Sequence, residues 1–147
     1  MKTKLFAVLA LFMFGVVLGA SAQKIIGKWK TIDDETGKAK SIVKIYKGNH
    51  DGLIYGKIEK LFREPGEDLN PVCEDCKGNL KDKPIKGMII IREMKKKGNE
   101  WKGGTILDPG NGKTYDCKMW LEGGKLQVRG YLGWSALGRS QTWLPAN

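Results

Sequence analysis

From residue 25 to residue 144 the chain alternates apolar and polar side chains in short runs. Ile25, Gly27, Trp29 and Thr31 share one face of the first run, and Lys28 and Lys30 share the other. Val43 and Ile45 oppose Lys40 and Lys44 in the second. Further on, Tyr115, Cys117, Met119 and Leu121 oppose Thr114, Asp116 and Lys118, and Leu126, Val128 and Leu132 oppose Gln127 and Arg129. A period of two sends successive side chains to opposite faces, so each run predicts a strand that is dry on one side and wet on the other. About eight such runs occur, near residues 25–32, 39–47, 52–62, 86–95, 99–107, 113–121, 125–132 and 137–144. Glycine recurs too often for a long 3.6-period apolar stripe, so helix is not expected.

The segments between these runs have turn chemistry. They include Asp33 to Gly37, Gly48-Asn49-His50-Asp51-Gly52, Lys97-Gly98-Asn99, Asp108-Pro109-Gly110-Asn111-Gly112 and Gly123-Gly124. Gly and Asn supply the positive φ that tight hairpins require. The expected fold is therefore all-β, an antiparallel up-and-down β-barrel of about eight strands, since closure removes exposed edges. Residues 63–85 depart from this rhythm. They carry Pro65, Pro71, Pro84 and two cysteines with little apolar content, and so long a connection is usually functional or mobile.

Small or polar residues are expected among the inward set: Ser41, Gly56, Gly103, Thr105 and Gly130. A barrel of about eight strands either fills its interior or holds one small ligand. Small inward residues favour a cavity, although glycines also mark bulges where a sheet curls.

The start of the chain predicts export. Lys2 and Lys4 precede an uninterrupted apolar stretch from Leu5 to Leu18, and Ala20-Ser21-Ala22 offers small residues to a signal peptidase. The stretch is short for a membrane span, which takes about 20 apolar residues. Residues 1–22 are expected to be a cleaved signal peptide and residues 23–147 a single domain, periplasmic or secreted. Removing the signal lowers the formal charge from +10 to +8. An exported protein rarely meets nucleic acid, and the lysines are spread along the chain. The surplus predicts a solvated outer face with at most weak attraction to anionic envelope surfaces.

Candidate chemistry is sparse. Cys73-Glu74-Asp75-Cys76 fits a local disulfide in an oxidising compartment. Redox catalysis would need a lowered thiol pKa, and both intervening residues are acidic. Zinc would need four ligands, which Cys73, Cys76, Cys117 and His50 supply only on paper. The favoured reading is a disulfide between Cys73 and Cys76, with Cys117 a small buried hydrophobe and no metal or other cofactor. His50 is the only histidine and sits in a turn, with nothing to place it beside a nucleophile. Asp33-Asp34 and Glu67-Asp68 fall in turns, where carboxylates mostly accept from backbone N–H groups. Gly110 to Thr114 echoes the end of a phosphate loop but joins two strands, where that loop opens a helix. Trp101, Tyr115, Tyr131 and Trp134 are candidates to line the mouth of a cavity and grip an apolar or ring-bearing ligand.

Gly27-Lys28-Trp29 on the first strand and Arg139 near the start of the last resemble the lipocalin and wider calycin signature. That resemblance implies a barrel base of Gly27, Trp29 and Arg139, with the guanidinium packed over the indole. A closer resemblance covers most of residues 23–147. Gly27-Lys28-Trp29, Trp101 to Pro109, Asn111 to Tyr115, Val128 to Tyr131, Leu137 to Arg139 and Gln141 to Trp143 resemble a family of exported bacterial proteins, domain of unknown function 2147. It implies a lipocalin-like barrel in the envelope and no enzymatic activity. The expected function is binding of a small apolar or amphipathic ligand. The alternative is a structural or protein-interaction module of the envelope that uses the 63–85 loop.

Overall fold

The computed structural model describes residues 24–133 and 138–147. The signal-peptide expectation and Trp134 lie outside them. Eight strands form: β1 (Gly27–Ile32), β2 (Ala39–Lys47), β3 (Ile54–Leu61), β4 (Ile89–Lys97), β5 (Glu100–Asp108), β6 (Lys113–Glu122), β7 (Lys125–Tyr131) and β8 (Gly138–Ala146). Each pairs antiparallel with its neighbours, and β8 returns to β1, closing the barrel. The expected strands all appear, and β4 is displaced a few residues toward the C-terminus. Among the described residues the one helical piece is a 3₁₀ turn at Gly78–Leu80.

Up-and-down closure sorts the turns onto two ends. The start of β1 and the β2–β3, β4–β5 and β6–β7 turns share one end; the other four connections share the opposite end. The first end is packed shut by Ile25, Trp29, Ile45, Met94, Trp101, Met119 and Leu126, all buried. Trp29 Nε1 donates to the Ile25 carbonyl at 2.7 Å, which satisfies the buried indole N–H. Gly27 has φ +140°, a backbone that explains glycine at the head of the Gly-Lys-Trp motif.

A bulge revises the expected facing of β5. Register shifts between Lys102 and Gly104, so Trp101, Gly104 and Ile106 oppose the inward Met119, Cys117 and Tyr115 of β6. Gly103 is exposed, and Thr105 pairs with Asp116 of the outer face. The period-two extrapolation from Trp101 fails because a bulge inserts one residue. Gly56 does not enlarge a cavity, since Ile91 packs within 3.0 Å of where its Cβ would stand.

The connection between β3 and β4 is ordered by its own hydrogen bonds. Cys73 N–H donates to Lys83 O at 2.9 Å, Asp82 N–H to Cys73 O at 2.9 Å and Ile85 N–H to Pro71 O at 3.0 Å. Cys73 and Cys76 form a disulfide, and both are buried. The knuckle they form seats on the β5–β6 turn. Cys73 Sγ lies 3.4 Å from the Pro109 carbonyl oxygen. A Cβ on Gly112, at φ +70°, would strike the Asp75 carbonyl.

Candidate functional site: an open-ended cup

Above the packed end the barrel interior opens into a cavity of about 700 Å³, bounded at its mouth by the β3–β4 connection and the β5–β6 turn. Most of the wall is apolar: Ile58, Ile90, Ile106, Val128 and Trp143, with Pro71 and Ile85 contributed by the connection. One side, built by β1, β2 and β8, carries a polar stripe of Thr31, Ser41, Gln141 and Arg139. Gly130 lines this volume, and a Cβ there would press on Ile106 Cγ2 at 3.3 Å.

The polar groups largely satisfy one another. Thr31 Oγ1 and Ser41 Oγ are 2.7 Å apart. Asp34 Oδ2 accepts from Gln141 Nε2 at 3.0 Å and pairs with Arg139 Nε at 3.3 Å, while Gln141 Oε1 accepts from Trp143 Nε1 at 3.1 Å. Asn111 Nδ2 donates to Tyr115 Oη at 3.1 Å. Among the described residues no buried side-chain N or O lacks a hydrogen bond. Such a wall selects by shape and apolar area, with few polar groups to fix orientation. At the rim stand Lys40, Arg63 and Arg139, with Asp108 held by its bond from Gly110 N–H at 2.8 Å.

The sequence-predicted residues separate into two ends. Tyr115 and Tyr131 line the cavity. Trp101 does not. It is buried at the packed end opposite Met119, with Lys96 Nζ 5.6 Å from its ring centroid. Arg139 is also misplaced in the sequence reading. The register partner of Trp29 on β8 is Pro145, and Arg139 lies six residues away along the strand, at the open end. Its guanidinium pairs with Asp34, so no Arg139–Trp29 stack forms. Gly27 and Trp29 alone of that trio belong to the base.

The reactive groups are dispersed. The disulfide occupies two thiols at the open end, and His50 is exposed in the β2–β3 turn at the packed end. A Cys₃His site is therefore not assembled. Cys117 is fully buried, and desolvation pushes its thiol up to about 12. Asp33 serves its turn, accepting from Glu35 N–H at 3.0 Å and Thr36 N–H at 2.8 Å. Sequence alternation places Thr31 and Ser41 inward, where the structure has them. Arg63, Ile85 and Gln141 were missed as lining residues, and nothing local in the sequence marks them.

An eight-stranded closed antiparallel barrel with one plugged end and one open cup defines a lipocalin-like fold. By sequence the chain belongs to the family described as "Uncharacterized protein conserved in bacteria (DUF2147)", whose profile matches residues 27–144. Its fold is similar to a solved structure described as "Protein HP1028 from the human pathogen Helicobacter pylori belongs to the lipocalin family". The TM-score is 0.70 at 20% identity, over 84% of each chain. No curated protein matches the chain. The family and fold implied by the sequence motifs are thus borne out.

Proposed function

We propose that this chain is an exported, non-enzymatic binding barrel that holds a small apolar or amphipathic molecule in its cup. The observation that carries the reading is the cavity of about 700 Å³, mostly apolar and open at one end, within the size range of small-molecule sites. A filled interior would have favoured an interaction module built on the 63–85 loop. That loop instead forms part of the mouth, with Pro71 and Ile85 facing the cavity. Export is supported by the apolar stretch and Ala20-Ser21-Ala22, and by a disulfide, which persists in oxidising compartments.

Native mass spectrometry of protein purified from its own envelope tests the reading, together with titration of a fluorescent apolar probe. Gly130→Leu projects a side chain toward Ile106 and Tyr115 and should weaken probe binding by about tenfold or more, as expected when a ligand loses well-packed apolar contact. Equal affinity in wild type and Gly130→Leu, with the barrel spectrum intact, would place the probe elsewhere and remove the cup from the reading.

A further inference from the structure

Four large apolar side chains are exposed among the described residues: Ile26, Leu69, Val72 and Leu132. Three of the four belong to the open end. Leu69 and Val72 lie on the β3–β4 connection, and Leu132 follows β7. Leu69 is 73% exposed and Leu132 58%, values far from those of a packed side chain. Leu132 also lines the cavity, as does Pro71 between the other two, so apolar surface runs from outside the protein into the cup. Exposed apolar groups around a pocket mouth mark a surface that meets another apolar phase.

We infer that the open end docks on an anionic lipid bilayer, with Leu69, Val72 and Leu132 entering the interface around the mouth. The inference rests on the cup reading for its purpose and on separate observations for its geometry. A ligand that fits an apolar cup is poorly soluble in water, and docking mouth-down lets it pass without crossing solvent. Charge supplies the attraction: the formal net charge is +8 without Lys2 and Lys4 of the signal, and Lys40, Arg63 and Arg139 stand at the rim. Arg63 and Arg139 keep partners in Glu67 and Asp34, so the rim alone is not strongly cationic. The whole-molecule field brings the protein to an anionic surface, and the apolar tips decide which end meets it.

The same charge offers a competing orientation. Lys95, Lys102, Lys118 and Arg129 stand in register across β4, β5, β6 and β7 on the outer face. Like charges directly opposite one another destabilise a sheet, and Glu100 lies 3.7 Å from Lys102 within the row. A side-on contact through this row would leave the mouth in water. The two orientations predict opposite mutant behaviour.

The test is co-sedimentation of residues 23–147, which contain every strand of the closed barrel, with vesicles of phosphatidylglycerol and phosphatidylethanolamine, against phosphatidylcholine alone. Docking at the mouth expects binding to the anionic vesicles that weakens with salt. Leu69→Ser should weaken it about tenfold, the effect of withdrawing one leucine from an apolar phase. Leu69→Trp should tighten it, because tryptophan favours the membrane interface. Lys102→Gln/Lys118→Gln should change it by less than about threefold, the screened contribution of charges held away from the surface. Loss of binding in the lysine pair with both Leu69 variants unchanged would overturn the inference in favour of the flank. Absence of binding to anionic vesicles would overturn it outright. The fluorescent probe titrated in vesicle-free solution separates the readings: Leu69 does not line the cavity, so its variants should bind probe as wild type does. Failure of wild type to bind the probe removes the cup reading and leaves the vesicle result to stand by itself.

Discussion

Asp34 and Arg139 meet at the mouth of the barrel, Oδ2 to Nε at 3.3 Å, tying the β1–β2 turn to the start of β8. The same carboxylate oxygen accepts from Gln141 Nε2 at 3.0 Å. The calycin resemblance implies Arg139 over Trp29, at the other end of the molecule. Antiparallel closure forbids this: β1 and β8 pair as Lys28 with Ala146 and Lys30 with Leu144. A residue at the start of β8 is carried about 20 Å from the Trp29 level by six steps of strand.

The consequence for stability is a strong asymmetry between the two residues. Arg139 is 69% exposed and its partner 43%, and exposed pairs of this kind contribute less than about 1 kcal/mol. Arg139→Ala should therefore shift a urea melt by no more than that. Trp29 is buried with a satisfied indole N–H, and Trp29→Ala should cost about 3–5 kcal/mol. Equal losses in the two variants would mean that Arg139 is coupled to the packed base after all.

Two glycines should prove intolerant where the backbone runs against other backbone. A Cβ on Gly104 would strike the Arg92 carbonyl across the β4–β5 pair, and Met94 Sδ stands close behind. Gly104→Ala is expected to disrupt the β-bulge and lower the barrel's melting temperature. Gly112→Ala should instead act locally. It obstructs the seat of the disulfide knuckle and strains a residue at φ +70°. Amide hydrogen exchange distinguishes them: faster exchange throughout β4 and β5 in the first, and confined to residues 71–85 and the β5–β6 turn in the second.

Much of this architecture was readable in the sequence, because strands and tight turns are local. Trp29, Val43, Ile45, Met119, Leu126 and Val128 each adjoin a lysine or arginine of the opposite face, and their burial follows from the pleat. Bulges are less readable. The Gly103-Gly104 pair shifts phase, and only the approach of Arg92 and Met94 from the next strand shows which glycine faces in. The site was legible in part for a related reason. Tyr115 lies close to its turn and is found at the mouth, whereas Trp101 falls at the opposite end because its strand starts there. Arg63, Ile85 and Gln141 reach the cavity through tertiary packing that no local pattern records.

Tyr55 and Asp51 offer a test of the packed end by titration. Tyr55 Oη donates to Asp51 Oδ2 at 2.5 Å, and Leu53 N–H donates to Oδ1 at 2.9 Å. The bond to Asp51 is the main reason that Tyr55 is pushed up to about 12 and that Asp51 is held below the usual carboxylate range. For Tyr55 the folded state favours the neutral phenol, so its contribution is complete below about pH 10 and lost as pH rises through about 12. For Asp51 the contribution is present above about pH 4 and lost as pH falls through its lowered value. Ultraviolet difference titration should show a late phenolate step that Tyr55→Phe removes and Asp51→Asn moves back toward pH 10. A late step that survives Tyr55→Phe would assign it to another tyrosine.

The disulfide should matter to the mouth far more than to the barrel. Cys73 and Cys76 are three residues apart, and so small a ring removes little chain entropy, well below the ~3 kcal/mol of a 15-residue loop. Their sulfurs are nevertheless buried against the β5–β6 turn, so replacement by serine would add the cost of burying hydroxyls. Cys73→Ala/Cys76→Ala isolates the bond. This variant should melt within a few degrees of wild type, while trypsin cuts faster at Lys77 or Lys81 and the probe exchanges more rapidly from the cup. Wild-type protein should release one titratable thiol, and only on unfolding. Cys117 is fully buried, and burial pushes its thiol up, so the reactive thiolate is scarce in the folded protein at pH 8. Three thiols reacting in the unfolded, unreduced protein would mean that the bond does not form. A collapse of the melting transition in the double variant would show that the loop holds up the barrel, in which case the seat of Asp75 on Gly112 is a structural brace and the mouth is rigid.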